Sequence, residues 1–260
     1  MAHPWRIHVT GAPRSGTTLM LALMLSCFDI DGAETKETRL WRAATRGKRA
    51  VLTKQPADEA LALFLMARDP KLHVIWMLRD PRDVVVSIHG SAPDQYWTNV
   101  RAWRESVAVA RPYLGHPRFH LVRYDDLARD PDAVQAKLAA AMPFLAETRP
   151  FSRFHDFAEL EHNQWRVAMR SIRSISPDSV GVWRKHLPRL KGQLERHGDI
   201  SGELIELGFE TDRAWLSLLD GVVPDTRASR TPEEGSLRRR FNHRWRDFLG
   251  MISYGMQRVL

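Results

Sequence analysis

Residues 6–10, Arg6-Ile7-His8-Val9-Thr10, run directly into Gly11-Ala12-Pro13-Arg14-Ser15-Gly16-Thr17-Thr18. That loop runs in turn into the apolar stretch Leu19-Met20-Leu21-Ala22-Leu23-Met24-Leu25-Ser26-Cys27-Phe28. A β-type run, a loop with two glycines, one arginine and paired threonines, and then a helix form the order in which backbone N–H groups and a helix N-terminus cradle a phosphate. Outward from this stretch the pattern repeats. Residues 50–53 precede a helical pattern at 58–67, residues 73–78 precede one at 81–89, and residues 118–123 precede one at 131–141. Strands alternating with helices predict a parallel sheet covered on both faces. Trp97, Val100, Trp103, Val107, Ala110 and Leu114 recur every three or four residues, so 95–114 reads as a long amphipathic helix. Helical patterns dominate after Phe154.

The loop at 11–18 resembles a P-loop, with one informative departure. A Walker A motif places Lys where Thr17 stands, and the nearest cation here is Arg14, inside the loop. ATP hydrolysis is therefore disfavoured. The third strand leads into Arg79-Asp80-Pro81-Arg82-Asp83-Val84-Val85-Val86-Ser87. Asp80 as N-cap, Pro81 at the first helical position and Asp83 in the first turn make a well-formed helix start. Arg79 and Ser87 add a guanidinium and a hydroxyl at the carboxyl end of a buried strand, where α/β sheets bind ligands.

The chain has 260 residues, 43% of them hydrophobic, and this supports one elaborated domain rather than a disordered chain. Its net charge of +8 points to anionic partners. The distribution is uneven: residues 236–260 hold six arginines and one aspartate. A body with so little excess charge suits an enzyme with an anionic ligand better than a nucleic-acid binder. The single Cys27 offers neither an internal disulfide nor a zinc cluster, which fits a reducing, cytoplasmic setting. The apolar run 19–28 is too short to span a bilayer and lacks a following A-x-A cleavage site, so it reads as a buried helix.

Together, Pro13-Arg14-Ser15-Gly16-Thr17-Thr18 and Arg79 to Ser87 resemble the 5′-phosphosulfate loop and the 3′-phosphate segment of sulfotransferases that use 3′-phosphoadenosine 5′-phosphosulfate (PAPS). Val122-Arg123-Tyr124-Asp125-Asp126-Leu127 is similar to the family's Tyr-Glu-Asp-Leu segment. The stretch Ser179 to Leu187 is similar to its Gly-Arg-Trp-Arg segment, with Val182 in place of a frequent Arg. The first hundred residues look closest to the tyrosylprotein branch and to bacterial sulfotransferases.

The resemblance implies a P-loop-type three-layer α/β fold, with PAPS as co-substrate and PAP as product. The donor would be held by Arg14, Ser15, Gly16, Thr17, Thr18, Arg79, Ser87, Tyr124, Trp183 and Arg184. Sulfuryl transfer needs cations around the equatorial and leaving oxygens and a base at the acceptor. The resemblance assigns Arg14 and Lys54 as cations and Glu34 as base, with Glu37 the alternative if Thr38-Arg39 governs the alignment. It implies no metal and no nucleic-acid partner. The acceptor is a hydroxyl, expected on a carbohydrate or glycolipid. Two rival readings stay open: a small-molecule or nucleoside kinase-like phosphotransferase, and a non-catalytic PAP-binding protein associated with membranes.

Residues 1–221 are expected to form the catalytic domain, 222–235 a linker and 236–260 a basic helical tail. In that tail Leu237, Phe241, Trp245, Phe248, Ile252, Met256 and Val259 form one continuous helical stripe. The stripe suits docking on the chain's own domain, a second subunit, or peripheral contact with an anionic membrane.

Overall fold

The computed structural model describes residues 3–33, 37–89, 92–158, 174–235 and 237–259, with side chains at all of these except 89, 237–245 and 258–259. A five-stranded, wholly parallel sheet has the order β2-β3-β1-β4-β7. Its strands are β1 (Trp5–Gly11), β2 (Gly32–Ala33), β3 (Ala50–Lys54), β4 (Leu72–Leu78) and β7 (Phe119–Arg123). β1 pairs with β3 on one side and with β4 on the other. Every residue of β4 is buried, as a strand covered on both faces requires.

Alternation along the strands sends side chains into two cores. Ile7 and Val9 of β1 and Ile75 and Met77 of β4 face α1 (Thr17–Cys27) and α6 (Pro131–Ala141). Val74, Trp76 and Leu78 face the opposite layer, which contains α2 (Glu59–Met66) and α4 (Val100–Ala110). α1 is apolar nearly all round because it is nearly enclosed; only Thr17 and Thr18 at its start and Ser26 near its end are polar. A third cluster joins Val85, Val86 and Val100 to Trp183, Leu190, Leu204 and Trp215. It packs α8 (Leu187–His197) and α9 (Ser201–Glu206) against α3 (Pro81–Val85). The sheet and its two helical layers form the expected α/β architecture. The remaining helices are α5 (Tyr124–Arg129) and α7 (Phe154–Phe157), and α10 (Leu237–Val259) closes the chain.

Three local expectations are corrected. The helix expected over 81–89 stops at Val85, and β5 (Ile88–His89) turns back on β6 (Ala92–Tyr96) as an antiparallel hairpin. The long helix expected from residue 95 starts only at Val100, because the Asn99 side chain accepts a hydrogen bond from Ala102 N–H and caps it. Residues 222–235 are a packed strap rather than a free linker. Arg230 and Thr231 donate backbone hydrogen bonds to the carbonyls of Tyr96 and Trp97, Asp225 donates one to Pro188, and Ser229 is buried beside Arg189. The prolines and polar residues that suggest a linker serve here to satisfy the backbone along an extended path.

Candidate active site

β1 and β4 are neighbours whose onward connections leave in opposite directions across the sheet, and at such a switch point a crevice opens beyond the carboxyl ends of the strands. Both phosphate-type motifs arrive there. After β1, Gly11 (φ 133°), Arg14 (φ 74°) and Gly16 (φ 96°) curl the chain tightly into α1. Arg14 adopts a left-handed conformation that non-glycine residues seldom take, and such strain recurs at ligand-binding turns. Gly16 has a second requirement, since a Cβ there would lie 2.6 Å from Tyr124 Cδ2. The Ser15 hydroxyl donates to the Ala12 carbonyl at 2.5 Å and so tightens the loop from within. No side chain caps α1, whose first-turn N–H groups thus retain the anion affinity of an open helix N-terminus.

β4 ends at Leu78 and delivers Arg79 beside this loop. The Arg79 guanidinium donates to the Arg14 carbonyl at 3.1 Å and the Ser179 carbonyl at 2.5 Å, and it stacks on the Tyr124 ring with 4.3 Å to the centroid. Its buried Nε has no hydrogen-bond partner among the described residues. Arg14 Nε donates to the Ser87 hydroxyl at 2.9 Å, so the two motifs touch directly. The Tyr124 hydroxyl is 2.7 Å from the Ser179 hydroxyl. Asp83 is occupied structurally, accepting from the N–H groups of Gly181 at 2.7 Å and Trp183 at 2.9 Å. Burial raises its pKa, an effect that these N–H donors and Arg79 oppose.

These groups surround a cavity of about 460 Å³ whose walls include Arg14, Gly16, Thr17, Thr18, Arg79, Ser87 and Tyr124. Lys54, at the end of β3, sits just behind the wall. Its ammonium lies 3.3 Å from the Thr18 hydroxyl and forms an ion pair with Glu37. Burial lowers the Lys54 pKa, the Glu37 carboxylate opposes that shift, and Arg14 adds to it. The Thr38 N–H donates to the Lys54 carbonyl at 3.0 Å, fixing the segment that carries Glu37 against β3. Glu34, expected as the base, lies outside the described residues.

Two other expected residues stand away from the cavity. Trp183 is buried edge-on against Trp215 with the Arg82 guanidinium over its ring, and exposed Arg184 packs on the same indole. Their neighbours Val182 and His186 line the cavity instead. Phe154 and Ser174 to Ser176 complete the far wall. Sequence reasoning misses these residues because they carry no motif and are brought in only by the return of the chain.

Residues 26–143 match the model of the sulfotransferase family. Through this region, somewhat less than half of the chain, the protein is similar to the sulfotransferase family. The match takes in Lys54, Arg79, Ser87 and Tyr124, whereas the loop at 11–18 lies before it. No curated protein sequence matches the chain. Among solved structures it is similar to mouse sulfotransferase SULT7A1 complexed with PAP, at 14% identity, covering 71% of this chain and 79% of that one with a TM-score of 0.44. It is also similar to the sulfotransferase domain of the Synechococcus PCC 7002 olefin synthase, at 16% identity over 71% and 89% with a TM-score of 0.43. Retinol dehydratase in complex with androsterone and inactive cofactor PAP matches at 14% identity over 72% and 77%, with a TM-score of 0.40.

Proposed function

We propose that this protein is a sulfotransferase that moves a sulfuryl group from PAPS to a hydroxyl of a carbohydrate or glycolipid acceptor. The observation that carries the reading is the convergence on one cavity of an uncapped helix N-terminus, Arg14, Arg79 and Ser87, with the Lys54–Glu37 pair at its edge. The unsatisfied Nε of Arg79 and the open start of α1 fit a ligand with phosphate groups at two ends.

In this reading the N–H groups at Gly16 to Thr18 and the Arg14 side chain receive the 5′ end, while Arg79 and Ser87 receive the 3′-phosphate. Lys54 stabilises the negative charge that gathers on the leaving phosphate oxygen as the S–O bond to it breaks. The new S–O bond forms to the acceptor oxygen, and a carboxylate takes that oxygen's proton. Glu37 is favoured for this task over Glu34 because it stands beside Lys54, where leaving group and acceptor meet in line. Arg14, adjacent to the transferring group, offsets charge on its equatorial oxygens. We place the enzyme in the cytoplasm, consistent with its one cysteine being buried in the core with its thiol pushed up to about 12 by that burial.

Titration with PAP in the absence of added metal, followed by transfer of labelled sulfate from PAPS to carbohydrate, glycolipid, phenol and peptide hydroxyls, tests the proposal. Tight PAP binding and labelling of sugar hydroxyls are expected. Preference for ATP with magnesium over PAP would overturn it, and labelling confined to phenols or peptides would overturn the acceptor class.

A further inference from the structure

The apolar stripe of the tail and the face by which the tail docks are different faces of α10. The docked face consists of Arg246, Gly250, Tyr254 and Gln257, at spacings of four, four and three residues. Gly250 permits the close approach: a Cβ there would lie 2.7 Å from Leu61 and 2.9 Å from the Trp41 ring. The buried Tyr254 hydroxyl donates to Asp69 at 2.6 Å, Gln257 Nε2 donates to the Trp41 carbonyl at 2.7 Å, and Arg246 donates to the Ala57 carbonyl at 2.7 Å. Roughly opposite on the helix, Phe248, Ile252 and Met256 are 47%, 47% and 56% exposed, with Leu249 at 49% beside them. In the sequence, positions 237, 241, 245 and 259 continue the helical register of Phe248, Ile252 and Met256.

We infer that this outer face of α10 seats the protein on an anionic lipid surface. A helix of 23 residues spans about 34 Å. With one side fastened to the domain and an apolar stripe facing outward, it has the geometry of an interfacial helix. Among the described residues no helix is long and apolar enough to cross a membrane, so the contact is peripheral. Charge selects the occupant. Residues 236–260 carry a net +5. A two-fold dimer through this stripe would bring two such helices together, whereas an anionic headgroup layer attracts each arginine close to it by about 1 kcal/mol.

The docked face also grips the acceptor side of the site. Trp41 follows Glu37 by four residues, and Arg39 between them pairs with Asp58 at 2.5 Å, one residue after the Ala57 carbonyl that Arg246 holds. The inference therefore deepens the glycolipid reading, on which only its link to the acceptor rests: the helix that makes the surface contact packs by its other side on the segment that follows Glu37.

The test is sedimentation of the full chain with vesicles of phosphatidylglycerol and phosphatidylcholine in equal parts, with phosphatidylcholine alone as control and no donor or acceptor present. Ile252→Glu and Met256→Glu change exposed positions remote from the cavity, and their melting temperature and PAP affinity report folding. The expected result is binding to the anionic vesicles only, weakened by salt, and reduced at least about tenfold by either substitution, because one apolar side chain is withdrawn from the lipid. Equal binding by the variants, or no binding by the intact chain, overturns the inference. An intact chain that runs at dimer mass, ignores vesicles and becomes monomeric on Ile252→Glu assigns the face to a second copy instead. Failure to bind PAP would strike the proposed function and leave this result standing.

Discussion

Replacing Arg79 with alanine separates a ligand role from a structural one. The Arg79 side chain makes two kinds of contact within the protein, hydrogen bonds to the carbonyls of Arg14 and Ser179 and stacking on Tyr124, and among the described residues its buried Nε has no partner. A hydrogen bond to a charged group contributes about 1.5 to 3 kcal/mol, so losing one to the 3′-phosphate weakens PAP by about 10- to 150-fold. The substitution also releases the Arg14 carbonyl, and a loosened loop would lower affinity for any nucleotide. The two effects separate when PAP and adenosine 5′-phosphate, which lacks the 3′-phosphate, are titrated calorimetrically into both proteins. If Arg79 binds the 3′-phosphate, removing the residue and removing the phosphate are strongly non-additive: the variant loses affinity for PAP and little for adenosine 5′-phosphate. Arg79→Lys keeps the charge without the planar fork and should fall between the two proteins. Equal weakening of both nucleotides by Arg79→Ala would refute the assignment and leave Arg79 as a strut of the loop.

Four further outcomes follow from contacts described above or from buried titrating groups. Glu37→Gln should lower kcat by about 10² to 10⁴ with PAP affinity retained, while Glu34→Gln keeps turnover; the reverse pattern restores Glu34 as base. Gly250→Val drives a branched side chain into Leu61 and Trp41, and overpacking of about 1 to 3 kcal/mol should appear as a lower melting temperature or as a tail newly open to proteases. Burial lowers the pKa of His8 to about 4, His73 to about 3 and His120 to about 4 from an ordinary 6.5. The unfolded chain thus binds more protons across that interval, and stability should fall as pH drops below about 6.5, by less in His8→Gln. Glu59 acts with the opposite sign. Burial raises its pKa to about 7 despite hydrogen bonds from Ser106 and Trp76, so its contribution to stability falls between pH 4.5 and 7. Thermal unfolding of Glu59→Gln at several pH values should lack that decline.

Four of the strands, β1, β3, β4 and β7, were legible to within about a residue because β-branched and apolar runs bounded by polar turns have few other uses in a chain of this length. The stretch after Asp80 was not. Val84-Val85-Val86 and Ile88 suit a helix face or a strand equally, and only pairing of Ile88 with Tyr96 decides for the hairpin. That Arg14, Gly16 to Thr18, Arg79, Ser87 and Tyr124 meet at one cavity was legible because the two motifs and the Tyr124 segment each follow a strand of the parallel sheet. Within the Ser179–Leu187 segment the sequence did not reveal that Val182 and His186, rather than Trp183 and Arg184, line the cavity, since that depends on the turn at Gly181, whose N–H Asp83 holds from 98 residues away in the chain. The tail shows the limit most clearly. Its apolar stripe was plain in the sequence, yet docking uses Arg246, Gly250, Tyr254 and Gln257, whose fit depends on a flat indole at Trp41 that spacing cannot reveal.

The contact between Arg14 and Ser87 has a bearing on what the cavity admits. In the resting protein each cation there already has a companion: Arg14 holds Ser87, Lys54 holds Glu37, and Arg79 holds two carbonyls. A small ion such as chloride or inorganic phosphate that reaches for Arg14 or Lys54 must dislodge a companion and gains only a single anchor in return. A ligand charged at both ends displaces them together and closes a chelate, its second attachment being made at high effective concentration once the first is in place. The pairing thus acts as a filter against the abundant simple anions of a cell, favouring a nucleotide of the right span.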